Sequence, residues 1–337
     1  MNKKYFEKIY KETYDEKCKH FSKLPSVLPP VRRIIVIGDL HGDWEMTIKS
    51  LKVGKVINSN NKWVGGDTIV VQVGDQIDRC RSGECSLPNS TKNDEASDYK
   101  ILKFFTALHN EAEKVGGAVY SIIGNHELMN VNGDMRYVSH ENIKEFDNYE
   151  TTEGEIINDG MEARKWAFAP GNPIANFLGC TRQLSLIIGS NLFVHAGILP
   201  KIAKKYGVQD MNQILSLYLW DKINNNEHLE LLDSSDFSPL WNRVFGSKNT
   251  TAQTCNSLMT PLKEIYKVDR MFIGHTPQIN TGITNTCNGK VWLTDYGASN
   301  AFNEFDTYYL ENHNRSQVRD AQVLEILDDG AQINILK

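Results

Sequence analysis

Arg33-Ile34-Ile35-Val36-Ile37-Gly38-Asp39-Leu40-His41-Gly42 is an apolar run closed by a polar turn. The run is rich in Ile and Val and predicts a buried strand, with a helix following near Trp44 to Leu51. The same form returns along the chain. Thr68 to Val73 leads into Gly74-Asp75-Gln76-Ile77-Asp78-Arg79, and Ala118 to Ile123 leads into Gly124-Asn125-His126-Glu127. A helical pattern from about Ser97 to Val115 separates the latter two, which is the βαβ rhythm of an α/β fold with connections returning to one sheet edge.

The second half opens with a hairpin pattern, Leu184 to Ile188 and Asn191 to Val194 about Gly189-Ser190. It ends in Val194-His195-Ala196-Gly197, and helices follow near Ile202 and from Asp210 to Ile223. Strands then recur at Arg270 to Ile273, behind which stands Gly274-His275-Thr276, and at Val291 to Thr294, Ala321 to Leu327 and Gln332 to Leu336. This order implies an α/β sandwich of two packed mixed sheets flanked by helices. Residues 1–30 carry Tyr5, Phe6, Ile9, Tyr10 and Tyr14 at helical spacing and are expected to be a helical extension. Residues 31–337 are expected to form one catalytic domain, with a polar, irregular cap or lid inserted at about 134–178 that carries a helical patch around Met161 to Phe168. Asn224-Asn225-Asn226 is expected to be a loop.

With 337 residues, 40% hydrophobic and 23% charged, the chain has ordinary globular composition. Its net charge of -5 argues against a strongly basic nucleic-acid binder, so proteins or small phosphate esters are the expected partners. No apolar segment is long enough to cross a bilayer, and the charged opening lacks the apolar run of a secretory signal. An intracellular, cytoplasmic protein is expected, with its six cysteines as free thiols. Cys80 and Cys85 are close enough in sequence to cross-link beside the second cluster, but spacing alone is weak support for a redox switch.

An aspartate after a strand often caps the next helix, and a single histidine is more often structural than a ligand. Five such clusters in order, all behind strands, multiply those coincidences and point to metal. Asp39 and His41 can reach one cation, and Asp75 is the natural carboxylate to bridge two. Asn125, His195 and His275 complete a second shell from three other strand ends. Carboxylate, amide and imidazole donors suit manganese, iron or zinc better than calcium. Two ions about 3.5–4 Å apart lower the pKa of a shared water and align it with phosphorus. His126 is placed to protonate the leaving oxygen, with Asp78 orienting its ring. Glu127 is expected to buttress the loop. Arginine forks suit the phosphate, and Arg79 is the first candidate. Arg243, in Ser238-Pro239-Leu240-Trp241-Asn242-Arg243, is the second, and Arg136 is a weaker third.

These clusters resemble the metallophosphoesterase superfamily and, within it, the phosphoprotein phosphatase family, whose signature reads GDxHG, GDxxDRG, GNHE, HAG and GHT. The resemblance spans about Arg33 to Ala301. The text from Gly124 to Val138, with Pro239-Leu240-Trp241-Asn242-Arg243, is most similar to the Shewanella-like phosphatase branch. It implies a calcineurin-like α/β/β/α sandwich and the ligand and acid allocation given above, with Arg79 and Arg243 on the phosphate. Cys80 departs from the glycine usual after that arginine, and Arg81 to Asn93 is an unusual stretch. Leu293-Thr294-Asp295-Tyr296-Gly297-Ala298-Ser299 stands where the typical serine/threonine enzymes carry a tyrosine-bearing loop. The function implied is a dinuclear metal-dependent phosphomonoesterase acting on phosphoproteins at serine, threonine or tyrosine. The alternative is a hydrolase of dinucleoside polyphosphates or nucleotides. A phosphodiesterase, nuclease or inactive binding module fits less well.

Overall fold

The protein is described by a computed structural model over residues 3–81, 83–224, 228–246 and 251–337. Its strands, in chain order, are β1 (Val27–Leu28), β2 (Arg33–Ile37), β3 (Ile69–Gln72), β4 (Ala118–Ile122), β5 (Tyr149–Glu150), β6 (Ile156–Ile157) and β7 (Arg182–Gln183). Then come β8 (Ser185–Ile188), β9 (Asn191–Val194), β10 (Arg270–Ile273), β11 (Thr284–Thr286), β12 (Val291–Leu293), β13 (Val323–Leu327) and β14 (Gln332–Leu336). One six-stranded sheet has the order β14-β13-β2-β3-β4-β7, the other β1-β8-β9-β10-β12-β11. Strands β2, β3, β4 and β7 run parallel, as do β9, β10 and β12.

Alternation along the parallel strands decides the layering, because successive side chains leave a strand on opposite faces. Ile34 and Val36 of β2, Ile69 and Val71 of β3 and Tyr120 and Ile122 of β4 face inward against Leu186, Ile188, Phe193 and Phe272 of the other sheet. Phe193 and Phe272 stack with ring centres 5.1 Å apart. Ile35, Ile37, Val70 and Val119 point the other way, onto Leu51, Ile101, Phe105 and Leu108. Those residues belong to helices Trp44–Val53 and Asp98–Glu113. Helices Val208–Leu219 and Ala252–Tyr266 supply Leu215, Met259 and Leu262 to the outer face of the second sheet. The expected four-layer sandwich is therefore present, with strand ends close to those expected.

Three expectations change. The opening segment is helical only over Lys3–Lys17, and Val27 and Leu28 join the second sheet by pairing with Ile187 and Ile188. The stretch expected as an irregular cap holds, besides the expected helical patch found as Gly160–Phe168, the helix His140–Lys144, the β5-β6 pair and most of helix Pro173–Thr181. The cysteines are not free thiols: Cys18 bridges Cys180, Cys80 bridges Cys85, and Cys255 bridges Cys287. Sequence distance hid two of these pairs, since 162 and 32 residues separate the partners. Loop-closure entropy assigns about 5 kcal/mol to the longest ring and about 2 kcal/mol to the shortest. Cys18–Cys180 thus pins the first helix, where Tyr10 and Tyr14 lie against Trp220 at 5.7 and 6.3 Å. Cys80–Cys85 adds the least of the three to global stability and acts on the shape of its own loop. In the expected Asn224–Asn226 loop, positions 225 and 226 lie outside the described residues.

Candidate metal centre and phosphate cleft

All five clusters stand at the C-terminal ends of parallel strands, where open α/β sheets bind ligands. β2 delivers Asp39 and His41, β3 Asp75, β4 Asn125 and His126, β9 His195 and β10 His275. These residues are all buried. Asp75 lies at their focus. Its Oδ2 is 3.3 Å from His195 Nε2, 3.7 Å from His41 Nε2 and 3.9 Å from His126 Nε2. Donor atoms of Asp75, His195 and His275 lie within 4.8 Å of one another, and so do those of Asp75, His41 and His126.

Asp39 and His275 share this pocket: the His275 N–H donates to Asp39 Oδ2 at 2.9 Å. Asp39 Oδ2 also lies 3.9 Å from His41 Nε2. Asn125 Oδ1 is 2.8 Å from His195 Nε2 and 2.9 Å from His275 Nδ1. The far nitrogens of these rings are set by carbonyls, which fixes the nitrogen each ring presents to the centre. His195 Nδ1 faces the Val73 carbonyl at 2.8 Å, and His275 Nε2 faces that of Trp241 at 2.9 Å. Backbone strain accompanies the clustering. His41, Asp75, Asp78 and His275 all have positive φ, between 43° and 72°, which costs about 1–3 kcal/mol per residue. A Cβ on Gly124 would overlap the Asp75 carboxylate, and one on Gly274 that of Asp39. Glycine is required at both positions.

The electrostatics suit cations. Burial pushes the Asp39 carboxyl well above its ordinary range, and Asp295 and Asp75 push it further. Burial also opposes the charge of Asp75, but His195, His126 and His41 hold it well below that range. His41 and His275 are held well below the ordinary imidazole value, first by burial and then by Arg81 and His195 respectively. Neutral imidazoles are the form that binds metals. Asp39 Oδ1 is buried with no hydrogen-bond partner among the described residues, an arrangement that a bound cation would relieve. The donors present therefore fit one cation held by Asp39, His41 and Asp75 and a second held by Asp75, Asn125, His195 and His275.

His126 turns Nδ1 to Asp78 Oδ2 at 2.7 Å, so Nε2 faces the centre. Asp78 is itself held by Asn130, whose Nδ2 donates to Oδ1 at 2.9 Å. Glu127 buttresses as expected. Its carboxylate accepts from the N–H groups of Gly124, Asp75 and Gln76 at 2.6, 3.1 and 2.7 Å, which locks the Asp75 turn to β4.

The arginines depart from expectation. Arg79 is tied back: Nη1 donates to the Gly42 carbonyl and to Glu95 Oε1, both at 2.8 Å, and Nη2 to the Asn93 carbonyl at 3.0 Å. Glu95 is its direct charge partner, so Arg79 does not present a fork to a phosphate here. Arg243 is exposed beside the centre and donates to the His275 carbonyl at 2.7 Å. Arg136 is spent on Asp134, at 2.9 Å.

Sequence reasoning missed three contributors. Asp295, at the end of β12, is buried, pushed up to about 6 by burial, and has an unpartnered Oδ2 among the described residues. Its signal was the same strand-end placement as the five clusters. Arg164, from helix Gly160–Phe168, is fully buried; it donates to Asn130 Oδ1 at 2.9 Å and Asp98 Oδ2 at 2.8 Å. Arg81, unlike Arg79, turns toward the histidines: Nη2 lies 2.7 Å from His41 Nδ1.

Comparison with known proteins shows the family. The family described as calcineurin-like phosphoesterase matches residues 32–278. Shewanella-like protein phosphatase 2 of Arabidopsis thaliana is 31% identical over 297 residues, covering 79% of this chain and 71% of that protein. An uncharacterised protein of Acanthamoeba polyphaga mimivirus is 36% identical over 251 residues, 67% of this chain and 95% of its own length. Among solved structures, a cold-active protein tyrosine phosphatase superposes with a TM-score of 0.66 at 19% identity, over 96% of this chain and 83% of that one. At that identity the likeness speaks for the fold alone. The chain belongs to the calcineurin-like phosphoesterase family, on the branch it shares with the Shewanella-like protein phosphatases.

Proposed function

We propose that this chain is a metal-dependent protein phosphatase, a hydrolase of phosphoric monoesters. The observation that carries the reading is Asp75, whose single carboxylate belongs to both groups of converging donors. Asp39, His41 and Asp75 would hold one ion, and Asp75, Asn125, His195 and His275 the other, with manganese, iron and zinc the metals their chemistry admits. When bound, such a pair supplies Lewis acidity and an activated water at neutral pH.

The chain's own residues do the rest. His126 Nε2 is the group placed to protonate the leaving oxygen, and Asp78 fixes the orientation of the ring. Arg243, anchored through the His275 carbonyl, stands where it can meet a substrate at the rim. The relatives named as protein phosphatases support phosphoproteins as the substrate class. Three disulfides favour an oxidising compartment over the cytoplasmic one the composition suggested.

Turnover of phosphopeptides and of dinucleoside polyphosphates should be measured side by side with added manganese. Phosphopeptide turnover should dominate, and Asp75→Asn should abolish it together with metal loading. Dominant dinucleotide cleavage rejects the phosphoprotein reading and favours the nucleotide hydrolase.

A further inference from the structure

We infer that Arg81, two residues beyond the arginine of the family motif, presents the guanidinium that grips the substrate's phosphoryl oxygens. The inference rests on the phosphomonoesterase reading above and adds a residue to it. Its first support is the commitment of Arg79 to Glu95 and two carbonyls, which leaves the motif arginine as a strut between the Gly42 turn and the Asn93 loop.

Arg81 is placed differently. Its guanidinium carbon lies 4.7 Å from the Phe302 ring centre and 5.2 Å from that of Tyr137. Those two rings pack against the centre's own histidines, Phe302 on His41 at 5.2 Å and Tyr137 on His126 at 4.9 Å. The cation is thus clamped beside both residues that flank the reacting group. Nη1 donates to the Asp78 and Cys80 carbonyls at 3.0 and 2.7 Å. Among the described residues no carboxylate oxygen comes within 4.0 Å of the guanidinium. A largely buried guanidinium without a direct anionic partner is costly, and an arriving phosphate dianion would supply that partner with fork geometry.

The contact between Nη2 and His41 Nδ1 supports the same conclusion. A His41 ring that uses Nε2 as a ligand carries its proton on Nδ1, where the Ile77 carbonyl lies 3.3 Å away. Two N–H groups then face one another, and Nη2 must find another acceptor. A phosphoryl oxygen is the acceptor that the reaction brings. Arg81 also borders a cavity of about 250 Å³, lined by Arg79, Lys92, Asn300 and Tyr309 among others.

The departure at Cys80 accounts for the direction of the side chain. Where the family usually has glycine, Cys80 bonds Cys85 and its N–H donates to the Tyr137 carbonyl at 3.1 Å. Arg81 lies inside the ring closed by that bridge, whose cysteines are five positions apart. The bridge closes the loop from which this side chain runs inward.

The test compares the full chain with Arg81→Ala, Arg81→Lys and Arg79→Ala, loaded with manganese, by kcat/KM on p-nitrophenyl phosphate and by the inhibition constant of orthophosphate. Arg81→Ala should lower kcat/KM about 100-fold or more and weaken orthophosphate by about tenfold. Arg81→Lys should recover only part of both, because a point charge does not replace a fork. Arg79→Ala should cost less turnover than Arg81→Ala.

If the Arg81 variants do not fold, phenylglyoxal labelling of the wild-type chain read by mass spectrometry decides. Orthophosphate should protect Arg81, and unprotected labelling overturns the assignment. Folded Arg81 variants within about fivefold of wild type on both readouts, or a larger loss at Arg79, also overturn it. A wild type that hydrolyses no monoester yet binds orthophosphate through Arg81 rejects the proposed function and upholds the site.

Discussion

Asp75 is the residue on which both donor groups depend, and His126 is the one whose loss should separate chemistry from metal binding. His126 Nε2 lies 3.9 Å from Asp75 Oδ2, while its Nδ1 is committed to Asp78. His126→Asn should therefore leave metal content unchanged and lower kcat by about 10²–10⁴-fold. Metal analysis beside steady-state kinetics checks this, and loss of metal from the variant would make His126 a ligand instead. The convergence of these candidate donors was legible because each sits directly behind an apolar strand, so local pattern alone predicts which edge it reaches. Arg79 and Arg81 were not separable that way. Which of two nearby arginines turns inward depends on Glu95, on the Phe302 and Tyr137 rings and on the Cys80–Cys85 bridge.

The central strands and the helices between them were readable from period and composition. The short strands β1, β7 and β11 were not, being two or three residues long and held by their neighbours. In the stretch expected as a lid the helical patch was readable, but what it holds was not. Its helix Gly160–Phe168 sends Arg164 inward to Asn130 and Asp98, and Asn130 holds Asp78. The insertion is thereby part of the scaffold of the His126–Asp78 contact. Arg164 stacks on Phe168 at 4.9 Å, but no sequence period marks a buried arginine. Arg164→Met leaves Asp98 buried beside Asp78 without its cation and should destabilise the fold by about 3–5 kcal/mol. Equilibrium denaturation measures this, and a loss below about 1 kcal/mol would mean the pair is not formed.

At the scale of the whole molecule, two sheets and three disulfides bring donors from residue 39 to residue 275 into one pocket. Four-layer packing followed from strand order and alternation, whereas the disulfides did not, because cysteine partners are chosen by the finished fold. The account's central claim is that the pocket seats two cations sharing the Asp75 carboxylate. An anomalous-scattering crystal structure of the manganese-loaded chain tests it most directly. The account predicts two peaks about 3.5–4 Å apart, both beside Asp75, with Asp39 and His41 on one and Asn125, His195 and His275 on the other. A single peak, or two ions without a common carboxylate, would contradict it.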